Sequence, residues 1–108
     1  MSGGGDGGIY IPPARKKTAL SCEMLEVETT LTKPEEEQLV TLAVGQILTV
    51  HVQERRVYVM FGDQIVGDVE APENNRIIEC VEAGTFYVAE ILELTGAICK
   101  VKIYAPQL

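Results

Sequence analysis

Apolar and polar residues alternate with period two through the stretch QILTVHVQERRVYVMFGDQIVGDV, residues 46–69. In the first segment Leu48, Val50 and Val52 fall on one face, and Thr49, His51 and Gln53 on the other. Successive side chains of an extended chain point to opposite sides, so this spacing predicts a strand over 47–53. The β-branched residues among them favour the same backbone. Glu54 and Arg55 make a polar turn, and a second strand runs to Phe61. There Val57, Val59 and Phe61 share one face and Tyr58 and Met60 the other, so both sides are largely apolar, as in a strand covered twice. Gly62-Asp63 is a hairpin turn, and a third strand covers 64–69. Gly67 inside it marks a bulge or a close backbone crossing, the device by which a small sheet coils.

The flanking segments are weaker copies of this pattern. LSCEMLEVETTL, residues 20–31, reads as a strand with a phase slip between Met24 and Leu25, with a helix as the competing reading. Residues 32–38, TKPEEEQ, suit one helical turn capped by Thr32, with Pro34 and the glutamates in the first turn. LVTLAV, residues 39–44, is either a strand or a short segment that seats Leu39, Leu42 and Val44 in the core. After the APENN break a helix is expected from Arg76 to Ala83, capped by Asn74 or Asn75 and ended by Gly84, with a strand over RIIECV as the competing reading. TFYVAEILEL, residues 85–94, is a strand in which Glu90 interrupts the face formed by Phe86, Val88, Leu92 and Leu94. Thr95-Gly96 turns the chain into a last strand, where Cys99, Val101 and Ile103 alternate with Lys100, Lys102 and Tyr104. Paired with its predecessor, this strand sets Lys100 and Lys102 across from Glu90 or Glu93, depending on register.

The expected architecture is mainly β: about six antiparallel strands and one short helix closing into a small SH3-like or OB-like barrel, with a β-sandwich as the alternative. A length of 108 residues fits one domain. Residues 19–105 form it, behind a glycine-rich head over 1–18 that opens MSGGGDGG and is expected to be flexible. Within the head, Ile9, Tyr10 and Ile11 before Pro12-Pro13 form a candidate apolar arm. Arg15-Lys16-Lys17 reads as a solvated connector.

Net charge is -7. The excess acid lies beyond residue 33, where only Arg55, Arg56, Arg76, Lys100 and Lys102 are basic. That balance argues against broad phosphate binding, which rests on Lys and Arg. Cys22, Cys80 and Cys99 make no CxxC motif and no even disulfide framework. Three free thiols fit a reducing compartment, although one disulfide beside a free thiol is an open alternative. No apolar run reaches eighteen residues and no signal segment is evident, so the expectation is a cytoplasmic protein with no membrane contact.

Candidate chemistry is sparse. His51 is the only histidine, which excludes multi-histidine metal sites, and no cofactor is expected. Glu35, Glu36 and Glu37 are consecutive and do not converge on an ion. A Cys–His pair needs a thiol within reach of His51. Glu90, with Asp63 and Asp68, is a candidate general acid or base if its apolar face is buried, and a small carboxylate enzyme is the least favoured alternative. The expected function is non-catalytic: a protein-interaction or assembly module, with a protein partner or a homo-oligomer. The alternative is a module for single-stranded DNA or RNA, in which Arg and Lys contact phosphates and Tyr side chains stack on bases. Both readings use one candidate face: Arg55, Arg56, Tyr58, Met60, Lys100, Lys102 and Tyr104.

From Gly45 onward the order is strand, turn, strand with Ile65-Val66-Gly67, a break, a short helix over Arg76–Gly84, then a strand from Phe86 to Ile91. Over roughly residues 39–103 this resembles the HIRAN domain family of small barrels. The resemblance implies a barrel fold and, by association, binding of DNA ends. Glu54-Arg55-Arg56 stands where the family carries its Arg-Glu…Asn…Asp…Ala signature and does not match it, so the resemblance supports the fold and not the DNA function.

Overall fold

A computed structural model describes residues 22–106. Among the described residues, after a helical stretch at 22–24, six strands and two further helices follow in chain order: β1 (Glu26–Thr30), α1 (Glu36–Leu39), β2 (Ile47–Gln53), β3 (Arg56–Phe61), β4 (Gln64–Val69), α2 (Asn74–Glu82), β5 (Val88–Thr95) and β6 (Ile98–Tyr104). All strand pairs are antiparallel, in the order β1-β6-β5-β2-β3-β4. The sheet curls into a half-barrel. Its two edges meet where Thr32, just past β1, forms an isolated bridge with Asp68 of β4. Thr32 N–H donates to Asp68 O and Asp68 N–H to Thr32 O, both at 2.8 Å, and Glu35 N–H reaches Val66 O nearby. Among the described residues no helix is long and apolar enough to cross a membrane.

The central meander has the expected strand bounds, and two bulges set which side chains face inward. The β3–β4 hairpin starts with Phe61 opposite Gln64 and Met60 opposite Ile65, then slips by one so that Val59 faces Gly67 and Val57 faces Val69. The slip points both Val66 and Val69 into the core and turns Asp68 outward, opposite Tyr58. Gly67 also sits at the seam. A Cβ there would lie 3.1 Å from Leu31 Cβ and 3.3 Å from Thr32 O, so bulge and close crossing coincide. In β5 a second slip between Ile91 and Glu93 leaves Ala89, Ile91 and Leu94 on the inner side.

The core joins the inner faces of the sheet to Ile77, Ile78 and Cys80 of α2. α2 starts two residues earlier than expected. Asn74 does not cap it. Instead its Oδ1 accepts from Ala71 N–H and its Nδ2 donates to Val69 O, closing the preceding turn. Gly84 terminates the helix at φ +107°, with Thr85 N–H on Cys80 O and Gly84 N–H on Val81 O, the paired bonds of a Schellman motif.

Four local expectations are corrected. The first strand begins only at Glu26; residues 22–24 are helical, so the phase slip at Met24/Leu25 marks an element boundary. Thr32 does not cap α1, because its backbone and hydroxyl are committed to Asp68 across the seam. Val44 is exposed, unlike buried Leu39. Cys22 and Cys80 are not free thiols: they form a disulfide, Cα–Cα 5.6 Å, leaving Cys99 free and buried. Both bonded cysteines are buried, and the Tyr87 hydroxyl donates to Cys22 O beside them.

Two outcomes test this arrangement. Gly67→Ala sets a methyl 3.1 Å from Leu31 Cβ and 3.3 Å from the seam backbone, so side chain or seam must shift by a few tenths of an ångström. Urea unfolding should show a loss of about 1–3 kcal/mol with unchanged m. The Cys22–Cys80 bond closes a loop with sequence separation 58, for which chain entropy gives about 4 kcal/mol. Cys22→Ser/Cys80→Ser should lose a substantial part of that, and reductant should lower the melting temperature of the wild type but not of the variant.

Candidate functional site

The outer face of the sheet carries six of the seven candidate residues, and the register shows how they are spread. One row crosses all six strands: Glu26, Tyr104, Val88, Thr49, Met60 and Ile65. Met60 and Tyr104 therefore lie in the same row, with two strands between them. A neighbouring row runs Glu28, Lys102, Glu90 and Ile47. Ile47 is 45% exposed; Phe86, which flanks the face ahead of β5, is 58% exposed.

Within this face β2, β3 and β4 hold a stacked network. His51 and Tyr58 are cross-strand partners with ring centroids 5.7 Å apart and planes at 17°. The Arg56 guanidinium also lies over the Tyr58 ring, 4.9 Å from its centroid. Arg56 then grips Asp68 with both Nε and Nη2, the shortest contact being 2.6 Å. The Asp68 side chain is 9% exposed against 50% for Arg56. The hydrogen bond to Asp68, more than its charge, pushes the Arg56 guanidinium above its ordinary value and keeps it ionised. Thr49 Oγ1 meets His51 Nε2 at 2.9 Å, and the Tyr58 hydroxyl donates to Gln53 Oε1.

This geometry alters the nucleic-acid expectation at each residue. Tyr58 is not a stacking platform: it is buried, with His51 and Arg56 already against it. Arg56 is committed to a carboxylate. Lys100 lies 3.8 Å from Glu28, and Lys102 stands in register between Glu28 and Glu90, its ammonium 5.5 Å from the Tyr104 ring centroid. Arg55 is not on the face at all. It sits at the β2–β3 turn and donates to Asn75 Oδ1 at the start of α2. The candidate arm Ile9, Tyr10 and Ile11 lies outside the described residues.

The candidate catalytic groups are also placed. Glu90 is on the outer face opposite Lys102 and half-buried, since the β5 bulge keeps Phe86, Val88 and Glu90 together and sends Leu94 inward. Cys99 points into the core while His51 faces outward, and the other two thiols are bonded, so no Cys–His pair forms. Among the described residues no three His, Cys, Asp or Glu side chains are grouped to hold a metal ion. The Arg56–Asp68 pair escaped the sequence reading because the bulge, not the turn spacing, aligns them.

Set against family models, curated proteins and solved structures, the chain matches none of them.

Burial pushes the Cys99 thiol above its ordinary 9.0 and the Tyr87 hydroxyl above 10.0. Both groups lose their proton more readily in the unfolded chain, so their contribution is complete below those ordinary values and lost as pH rises through the folded ones. The urea midpoint should therefore fall as pH is raised from neutrality through 9.0 and beyond. Cys99 should resist a thiol reagent until the protein unfolds.

Proposed function

We propose that this protein is a small non-catalytic barrel that acts as a protein-interaction or assembly module, with the outer sheet face as its contact surface. The observation that carries this reading is the internal pairing of the face's charges. Arg56 is held by Asp68, Lys100 lies near Glu28, and Lys102 is flanked by Glu28 and Glu90. Apolar contact area from Ile47, Met60, Phe86 and Tyr104 remains between them. A face with satisfied charges and exposed apolar side chains suits another protein surface better than a phosphate backbone, which is drawn to unneutralised cations. The simplest occupant is a second copy of the chain.

A nucleic-acid module is the alternative, and the resemblance to the HIRAN family bears on it through fold order alone. The cytoplasmic setting proposed from composition sits poorly with the Cys22–Cys80 disulfide, which favours an oxidising environment.

Sedimentation velocity over a range of concentrations tests the reading. The expected result is reversible self-association that Ile47→Glu and Phe86→Glu abolish without shifting the unfolding midpoint. A monomer at every concentration, with saturable and salt-sensitive binding of single-stranded DNA, would overturn it in favour of the alternative.

A further inference from the structure

Away from the apolar part of the outer face, a groove of about 370 Å³ opens where the β2–β3 turn, the seam and the start of α2 converge. Its polar lining is Lys33, Arg55, Arg56, Asp68, Glu70 and Asn74. We infer that this groove is a binding site for a dianionic phosphate group, either inorganic phosphate or a phosphate monoester.

The charge count points that way. Three cations from two segments of the chain, Lys33 and the consecutive Arg55 and Arg56, meet there in a chain whose net charge is -7. Of the two acids, Asp68 is already engaged by Arg56 through Nε and Nη2, which leaves the Nη1 hydrogens of Arg56 uncommitted to that carboxylate. Glu70 is exposed. Among the described residues neither Lys33 nor Arg55 has a carboxylate within ion-pair distance. A second groove of similar size, which Arg56 also lines, carries Glu35, Glu37 and Asp63. With the Arg56–Asp68 pair set aside, the first groove holds Lys33 and Arg55 against Glu70, and the second holds three acids and no further cation.

The donors are also oriented. Arg55 is anchored by its bond to Asn75 Oδ1 at 3.0 Å, which fixes one edge of the guanidinium and leaves its remaining N–H groups available. Lys33 and Arg55 both line the groove from a left-handed backbone, φ 48° and 63°. α2 begins beside it with no side-chain cap hydrogen bond, but its N-cap residue is the exposed Glu73, so the helix end itself adds no net attraction and the site rests on the side-chain donors. Two guanidinium groups and an ammonium offer more donors than a carboxylate accepts, and they suit an oxyanion with three terminal oxygens and a charge near minus two.

The left-handed positions supply a test that separates site from fold. Asparagine tolerates positive φ better than lysine or arginine, so Lys33→Asn/Arg55→Asn removes two cations while relaxing the backbone. ¹⁵N–¹H spectra would be recorded with added inorganic phosphate, with chloride at equal ionic strength, and with O-phosphoserine. Saturable shifts are expected at the amides of Lys33, Arg55, Asn74 and Asn75, with none under chloride. The double variant should lose affinity by about tenfold or more, from loss of two charge-assisted contacts, at an equal or higher unfolding midpoint. Glu70→Gln, which removes the rim acid, should bind more tightly. Equal binding of the two phosphate probes identifies a free-anion site, and preference for O-phosphoserine identifies a monoester site. Shifts no larger than with chloride, or unchanged affinity in both variants, overturn the proposal.

Discussion

The seam at Thr32 and Asp68 is the constraint on which the rest of this barrel depends. A six-stranded sheet has two edges with unpaired backbone groups, and they must be hidden or satisfied. Here they come close enough to exchange a reciprocal pair of hydrogen bonds, an approach that the missing side chain at residue 67 eases. The same glycine lies at the bulge that rotates Asp68 outward to meet Arg56. Closure of the backbone, burial of Val66 and Val69, and the ion pair on the outer surface are three results of one local irregularity.

That irregularity also explains what the sequence reveals and what it conceals. Period-two alternation located β2, β3 and β4 with correct bounds, because both turns around β3 are short and the β-branched residues leave little choice. Counting back from the Gly62-Asp63 turn places Asp68 opposite Val57, facing the core. The one-residue slip puts Val69 there instead, so the Arg56–Asp68 contact becomes visible only once the bulge is known. Glu90 shows the same effect. Reading β5 as one uninterrupted alternation groups it with Leu92 and Leu94 on an apolar face, and the slip at Ile91/Glu93 dissolves that face. Alternation conveys local phase well and is blind to a shift of phase within a strand.

Long-range pairings were concealed for a different reason. Cys22 and Cys80 belong to no short motif, and their union depends on how α2 packs over the curled sheet. Tyr87 likewise reaches Cys22 only in the finished fold. On the outer face, composition suggested loose cations beside tyrosines. The structure pairs most of those cations with acids from neighbouring strands and leaves Arg55 at a turn beside α2. Residue types were legible, but their partners were set by strand order.

The strand order has a consequence for how the chain reaches its fold. β1 has no neighbour among the strands that follow it directly; its partner is β6, so Glu26 waits for Tyr104. During synthesis the β2–β3–β4 meander can pair as soon as it emerges, whereas β1 keeps an open edge until the last strand is in place. Such distant pairing slows folding relative to local contacts, because the chain must close a long loop before that contact stabilises it. The hydroxyl and acid side chains of Thr29, Thr30, Glu26 and Glu28 on that strand keep it from being a uniformly apolar edge while it waits.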